Sequence, residues 1–495
     1  MINLYVSDIL KCISDIVIDA HLDSQSNLRI TGITDKSNDV KPGYLFFCRK
    51  GSQFDSHEIA PEIVKKGAVL LITERFLQID APMVVVSDSR LAEALIAKNF
   101  FQNPSEDLTV IGVTGTNGKT TCSHLFHHIL GKFGSTGSLL GTVFYEILGV
   151  SRFHHDNTTP GAIEIMSAMQ KTKQNCGEYF TMEVSSHSLA MNRVEGVRFD
   201  IAALTNITRD HLDFHSCFEE YSRTKLHIFD LLKDNGIAVI SDEFEHLLQK
   251  RVNKIVYGTS RKCHYRIEDV DVDKVRTDFT IKTPQGTFQA CIPLPGIHNA
   301  YNAALVIASL AEMGYSPRDI IEALRSFDGV EGRFEYVKEA SLMGFDVVVD
   351  FAHTPDALEK TLVTAKHLTT GRLITVFGAG GMADKGKRPL MAEVASKLSD
   401  VVIITTDDPR GEDVDEILSQ VESGVIPGTP YLVLRDRYEA IETALTLANR
   451  GDMVLVAGRG HEEYQIFSKE KKIPFKDSEI IRNIVYREYA KEMKK

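Results

Sequence analysis

The chain lacks most features that mark special classes of protein. No run among its 495 residues approaches the ~20 consecutive apolar residues needed to span a bilayer. The first residues, Met1-Ile2-Asn3-Leu4-Tyr5-Val6-Ser7-Asp8, show no basic segment ahead of an apolar core and a cleavage site, so no secretory signal peptide is expected. Cysteine is sparse and scattered, at 12, 48, 122, 176, 217, 263 and 291, with no pair at metal-ligand spacing. That argues against a zinc ribbon or a disulfide scaffold and leads us to expect reduced thiols in a cytoplasmic protein. Glycine (34) and proline (15) are ordinary, which removes the collagen-like and low-complexity classes. Tryptophan is absent, which bears on no function. Positive charge is in deficit, Lys+Arg 56 against Asp+Glu 68, a formal net charge of -12. So acidic a chain is a poor general binder of nucleic acid or of an anionic membrane, although a local basic pocket can still hold an anion.

What is present reads as a globular α/β protein. At ~100–200 residues per domain the length suggests about three domains. The first hundred residues mix helical segments with strand-like runs at Tyr44–Cys48, Val69–Thr73 and Met83–Ser87. The polar segment Asn103-Pro104-Ser105-Glu106-Asp107 reads as a linker. From 108 to 330 strand-like and helix-like segments alternate. After about 333 they do so more regularly, with strand-like runs at Asp346–Asp350, Leu373–Phe377, Val401–Thr405, Tyr431–Leu434 and Met453–Ala457. Such alternation predicts a doubly wound domain with ligands at the C-terminal ends of its strands. The expected cuts are 1–104, 105–332 and 333–495.

The strongest motif is Thr114-Gly115-Thr116-Asn117-Gly118-Lys119-Thr120-Thr121, between a strand-like run and a helix-like one. Backbone N–H groups of such a loop wrap a phosphate chain, with the helix N-terminus behind them. Lys119 would neutralise the β- and γ-phosphates and Thr120 would reach Mg²⁺. Val113 stands where the general pattern has its first glycine, so the strict motif fails by one residue. Downstream, Met182-Glu183-Val184-Ser185-Ser186-His187 puts a carboxylate at a strand end, where Mg²⁺ is often held. Taken singly, Glu183 reads as a surface carboxylate. Thr205-Asn206-Ile207-Thr208-Arg209-Asp210-His211-Leu212-Asp213-Phe214-His215 offers hard-metal donors, or a polar loop before a helix near Phe218. His124 and His128, one turn apart without a third ligand, read as a helix face. Gly378-Ala379-Gly380-Gly381 lacks the spacing of a dinucleotide fingerprint.

Together these motifs resemble, over essentially the whole chain, the Mur ligase family of bacterial cell-wall synthesis, and within it the type that adds a diamino acid. The resemblance extends to Asn157-Thr158-Thr159-Pro160, Tyr221-x-x-x-Lys225, Val330-Glu331-Gly332-Arg333, Asp350-Phe351-Ala352-His353-Thr354-Pro355-Asp356, Lys387-Arg388-Pro389-Leu390-Met391 and Ala457-Gly458-Arg459-Gly460-His461-Glu462. It implies a three-domain α/β fold: an N-terminal α/β UDP-binding domain, a central P-loop ATPase-like domain and a C-terminal Rossmann-like domain. By resemblance ATP would lie on Gly115, Thr116, Asn117, Gly118, Lys119, Thr120 and Thr121. Asn302 would reach the adenine, with Arg333 and Asp350 near the triphosphate and ribose. Ser37, Asn157, Thr158, Thr159, Ser185 and Arg193 would contact the UDP-muramoyl dipeptide. Glu183, His211 and Lys225, with Thr120, would surround Mg²⁺, Lys225 as a carbamate formed with CO₂. Lys119, Glu183, His211 and Lys225 would form the catalytic group. Asp408, Arg410, Gly458 and Glu462 would read the incoming amino acid.

The implied reaction joins a diamino acid to the D-Glu γ-carboxylate of UDP-N-acetylmuramoyl-L-Ala-D-Glu through an acyl phosphate, in peptidoglycan synthesis. Only small molecules would be partners, with no nucleic acid or membrane insertion, and the chain would act as a monomer. Some positions depart from the family pattern: Lys36 and Asn38 replace Asp and Arg, and Met191 replaces a frequent Gln. Ala383 replaces an arginine that holds the amino acid's carboxylate. Asp408 replaces the Asn of the diaminopimelate loop, while Arg410 is kept. Meso-diaminopimelate is therefore only slightly favoured over L-lysine. The rivals are a divergent paralogue with another amine acceptor and a P-loop ATP switch without ligase chemistry.

Overall fold

The computed structural model describes residues 4–22, 28–51, 54–153, 157–248 and 252–492. Three large sheets carry the chain. A five-stranded sheet uses Val17–His21, Gly32–Thr34, Tyr44–Phe47, Ala68–Thr73 and Met83–Val86. All its pairings are parallel except that of the edge strand Val17–His21. The helix Ser89–Phe100, capped by the Asp88 carboxylate on the Arg90 and Leu91 N–H groups, carries Ala92, Ile96 and Ala97 into a core shared with the next sheet.

That next sheet has eleven strands. Its parallel centre runs, in space, Gly137–Leu140, Tyr179–Glu183, Thr109–Thr114, Phe199–Leu204, Leu232–Ser241 and Asn253–Gly258. Strands here are buried on both faces, so they read as continuous apolar runs such as Val110, Ile111 and Val113. The expected alternation fails beyond 232. Five strands follow with no α-helix between them among the described residues, and Tyr265–Val272, Thr277–Thr283 and Gly286–Ile292 form an antiparallel extension. Tight turns such as the one before Gly286 (φ +137) suffice for antiparallel neighbours, so no crossover helix is needed. The helix Ile297–Glu312 then packs back across the sheet through Ala300, Ala304 and Ala308, small side chains that allow a close approach.

The third sheet has five parallel strands in the spatial order Asp346–Asp350, Met453–Ala457, Leu373–Phe377, Val401–Thr405 and Tyr431–Leu434, with the short Glu335–Tyr336 antiparallel at one edge. For these five parallel strands the bounds read from the sequence are those observed, whereas in the first sheet they differ by one residue at an end. The segment 103–107 is not a loose linker. Pro104–Glu106 form a 3₁₀ turn, Pro104 and Ser105 are buried, and Ser105 Oγ accepts the Arg198 N–H at 3.3 Å. Among the described residues no helix is long and apolar enough to cross a membrane. All seven cysteines are free thiols.

Candidate active site

The central sheet places its cleft at the C-terminal end of Thr109–Thr114. Val113 belongs to that strand and is fully buried, so the turn begins only at Gly115. This is why the motif is one glycine short. Gly115 has φ +142, and a Cβ there would lie 1.9 Å from Thr205 Oγ1. Gly118 has φ +85, and its Cβ would lie 2.6 Å from Asn302 Oδ1. Both positions therefore require glycine. Neighbouring strand ends hold the loop. Asn117 N–H donates to Asn206 Oδ1 at 3.0 Å, and Thr205 Oγ1 donates to Asn117 O at 2.6 Å. The helix Lys119–Lys132 starts immediately behind, with Thr120 and Thr121 in its first turn.

Glu183 ends the adjacent strand and is fully buried, not a surface carboxylate. Its Oε1 accepts the Thr142 N–H at 2.7 Å. Its Oε2 accepts the hydroxyls of Thr142 and Thr120 at 2.9 and 3.0 Å. The loop after the strand Phe199–Leu204 brings His211, whose ring is pushed down to about 3 by desolvation, against the pull of Asp210. A neutral imidazole has a free lone pair at pH 7. Thr120 Oγ1, the Glu183 carboxylate and a neutral His211 all line the same cavity and are donors of the kind Mg²⁺ could take.

Lys119 and Lys225 stand beside the loop. Lys119 Nζ donates to the carbonyls of Gly115 and Thr116, each at 2.9 Å, and Lys225 Nζ donates to Gly115 O at 2.8 Å. Burial lowers both pKa values; that of Lys225 falls well below the ordinary value, with the Lys119 charge adding to the effect. The helix Phe218–Leu226 carries Lys225, and its Tyr221 Oη meets Thr116 Oγ1 at 2.9 Å.

The C-terminal domain closes the cleft. Arg333 Nη2 donates to Thr120 Oγ1 at 3.1 Å, and its guanidinium lies 4.3 Å from the centre of the Phe351 ring. The Asp350 carboxylate accepts the N–H groups of Phe334 and Ala352 at 2.7 and 2.8 Å. Asn117 Nδ2 donates to Asp356 Oδ2 at 2.7 Å across the domain boundary. Residues Thr116–Thr121, Glu183, Ser185, His211, Asn302, Arg333 and Asp350 line one cavity of about 610 Å³.

Other candidates lie around it. Thr158 lines the cavity, and its Oγ1 meets Thr142 Oγ1 at 3.1 Å. Thr159 Oγ1 donates to Glu183 O at 2.8 Å, Arg193 Nη1 donates to Thr159 O at 3.0 Å, and Tyr145 Oη donates to Asn157 O at 2.6 Å. Met191, in place of glutamine, offers its sulfur to Arg193 Nη2 at 3.4 Å. Ser37 does not line the cavity; it sits in a turn of the first domain, and its carbonyl accepts from Lys66 Nζ at 2.8 Å. The neighbouring Lys36 pairs with Glu164 of the central domain at 2.6 Å. His124 packs edge-on against Phe144, and His128 Nε2 meets Ala323 O at 3.2 Å, so neither presents a ligand set.

Asp408, Arg410, Gly458 and Glu462 form a second group at the ends of the third sheet. Asp408 is buried and ion-paired to the fully buried Arg459, and its Oδ1 accepts the Ile466 N–H at 2.9 Å. Arg410 Nη2 is 3.6 Å from Asp408 Oδ2, with its side chain about half exposed. Gly458 (φ +114) leaves room for Asp407, whose Oδ2 would be 2.5 Å from a Cβ there. Burial, then the nearby Asp407, pushes Glu462 up to about 8. In the Gly378–Gly381 turn two glycines answer to packing: a Cβ would strike Thr405 O at 2.4 Å from Gly378 and Pro409 O at 1.8 Å from Gly381.

Sequence reasoning did not single out Thr142 or the pairing of Asn117 with Asp356. Thr142 lies in no recognisable motif, and Asp356 is remote from the phosphate loop in sequence.

Fold and site define a three-domain P-loop protein whose cleft is completed by its last domain. Comparison with known proteins agrees. Residues 29–105 match the Mur ligase family catalytic domain, 113–310 the Mur ligase middle domain, and 332–460 the Mur ligase glutamate ligase domain. The UDP-N-acetylmuramoyl-L-alanyl-D-glutamate--2,6-diaminopimelate ligase of Clostridium botulinum is 40% identical over 457 residues, 91% of this chain and 94% of that protein. Its counterpart from Geobacillus thermodenitrificans is 39% identical, covering 93% and 95%. A solved structure of a ligase of the same name superposes with a TM-score of 0.67 at 29% identity, covering 98% and 99%. The chain belongs to the Mur ligase family.

Proposed function

We propose that this protein is the ATP-dependent ligase that adds a diamino acid, meso-diaminopimelate, to UDP-N-acetylmuramoyl-L-Ala-D-Glu. The carrying observation is the convergence on one cavity of the phosphate loop, the buried Glu183 carboxylate and Arg333 from the far side of the cleft. The division into 1–104, 105–332 and 333–495 belongs to the same proposal. It is supported by sheet membership, since the three large sheets draw their strands from 17–86, 109–292 and 335–457.

In this reading a γ-carboxylate oxygen of D-glutamate attacks the γ-phosphorus of ATP. The bond to the β-phosphate oxygen breaks, ADP leaves and an acyl phosphate remains. The amine of the incoming amino acid attacks the acyl carbon, and the tetrahedral adduct expels phosphate as the nitrogen loses a proton. Loop N–H groups hold the triphosphate, and Lys119 and Arg333 offset charge on the transferring phosphoryl group. Mg²⁺, held by Thr120, Glu183, His211 and the modified Lys225, supplies further charge neutralisation when bound. For that modification the neutral Lys225 amine forms a C–N bond to CO₂ and releases a proton, leaving an anionic carbamate. Burial favours the neutral amine it needs. The docked C-terminal domain keeps water from the acyl phosphate.

Diaminopimelate is favoured over lysine by the state of Asp408. Its charge is met by Arg459, so it does not repel a distal carboxylate as a free aspartate would. Arg410 is left half exposed to receive that carboxylate. The names of the relatives agree with this choice. The test is phosphate release from MgATP with the UDP-muramoyl dipeptide across a panel of amino acids, with product masses. Release that needs both the dipeptide and diaminopimelate supports the proposal. Turnover indifferent to both would instead support an ATP switch.

A further inference from the structure

Two consecutive residues of the central domain face residues of opposite charge at the start of the helix Lys387–Leu398. Arg209 Nε lies 3.4 Å from Asp384 Oδ2, and Lys387 Nζ lies 3.8 Å from Asp210 Oδ1. The first pair sits at the rim. The second is buried, with side chains only 8% and 5% exposed, so it is little screened by solvent. Gly386 lies against the end of the Arg209 side chain. A Cβ there would come within 2.7 Å of Arg209 Nη2, although its φ of -66 suits any residue.

Asp210 gives its remaining contacts to His211. Oδ1 accepts the His211 N–H at 2.9 Å, and Oδ2 lies 3.2 Å from His211 Nε2. His211 has φ 53, a left-handed conformation that a non-glycine residue keeps only where its surroundings hold it. One carboxylate therefore links the C-terminal domain to the backbone and ring of a histidine that lines the cavity.

We propose that Lys387 is a positioning residue that acts through Asp210 on His211, and that the two crossed ion pairs latch the C-terminal domain onto the 209–211 loop. Docking of that domain then orients the histidine toward the metal, so the site is complete only when the cleft is closed. The metal role of His211 rests on the ligase reading; the latch itself does not.

The test uses the full chain and Mn²⁺ as the probe, with binding read by electron paramagnetic resonance and domain closure by solution X-ray scattering. Lys387→Met should weaken Mn²⁺ binding ~10-fold, the scale for loss of an outer-shell partner, and lower kcat with KM for the UDP-muramoyl dipeptide unchanged. Lys387→Arg should restore most of both. Arg209→Met removes the rim pair with Asp384 and leaves Asp210 and Lys387 in place, so it should enlarge the radius of gyration. Mn²⁺ affinity in Lys387→Met within two-fold of the parent overturns the positioning role. If that variant does not fold, Arg209→Met decides, and an unchanged radius together with unchanged Mn²⁺ binding overturns the latch. A chain that shows both effects but releases no phosphate with the dipeptide keeps the latch and loses the ligase reading.

Discussion

Lys119 and Lys225 donate to the same acceptor, the carbonyl oxygen of Gly115, at 2.9 and 2.8 Å. Two full positive charges so close together, in a buried site, repel strongly. The strain is relieved at Lys225, which burial and then Lys119 push well below its ordinary pKa. In the proposed reaction Lys119 would neutralise phosphate and Lys225 would act as the amine.

Lys225→Ala is expected to lower turnover by at least ~100-fold, the scale for removing one group that stabilises transferring charge. Protein equilibrated with ¹³CO₂ should give a carbamate carbon signal that the variant lacks. The signal should fade as the pH falls through the folded-state pKa of Lys225, because protonation removes the nucleophilic lone pair. Full activity in Lys225→Ala would end this assignment.

Arg410→Ala should reduce kcat/KM for diaminopimelate by about 10–100-fold, the loss of one charge-assisted hydrogen-bonded pair. Lysine, which has no distal carboxylate, should be hardly affected. Equal losses for both would place Arg410 outside the specificity pocket.

Glu93 offers a pH test of stability. It is buried and accepts from Arg49 Nη1 at 2.7 Å, yet burial, against the pull of Arg49, raises its pKa from 4.5 to about 7. The unfolded chain releases this proton first, so the native state loses stability as pH rises from about 4.5 to about 7 and levels off above that. Glu93→Gln should therefore gain ~2–3 kcal/mol relative to the parent between pH 5 and 8. Denaturant midpoints across that range would check it, and a constant difference would show that the carboxylate is not strained.

The last helix, Asp477–Glu492, is anchored by an ion pair with no solvent access. Arg437 Nε and Nη2 donate to Asp477 Oδ1 and Oδ2 at 2.9 and 2.7 Å, and both side chains are 0% exposed. Asp477→Ala leaves a guanidinium buried without its partner, at a cost of about 3–5 kcal/mol. Urea unfolding should show it, whereas Lys491→Ala on the exposed end of the same helix should change little.

Local pattern alone settled part of this protein. The phosphate loop was readable because glycine at 115 and 118 answers to backbone geometry that no other residue meets cheaply. Four of the five parallel strands of the last sheet were readable because strands buried on both faces are apolar nearly throughout, while the fifth, Tyr431–Leu434, is a partly exposed edge strand that is apolar all the same. The antiparallel extension at 265–292 was not, because apolar runs do not say whether neighbours pair in the same direction or in opposite ones. Only the tertiary structure decided how charge is shared. It turned Glu183 from an apparent surface carboxylate into a buried one, gave Asp408 to Arg459 and set Asp210 between His211 and Lys387. Those partners lie as far as 177 positions apart in the chain, and Coulomb energy depends on distance and burial, which sequence separation does not encode.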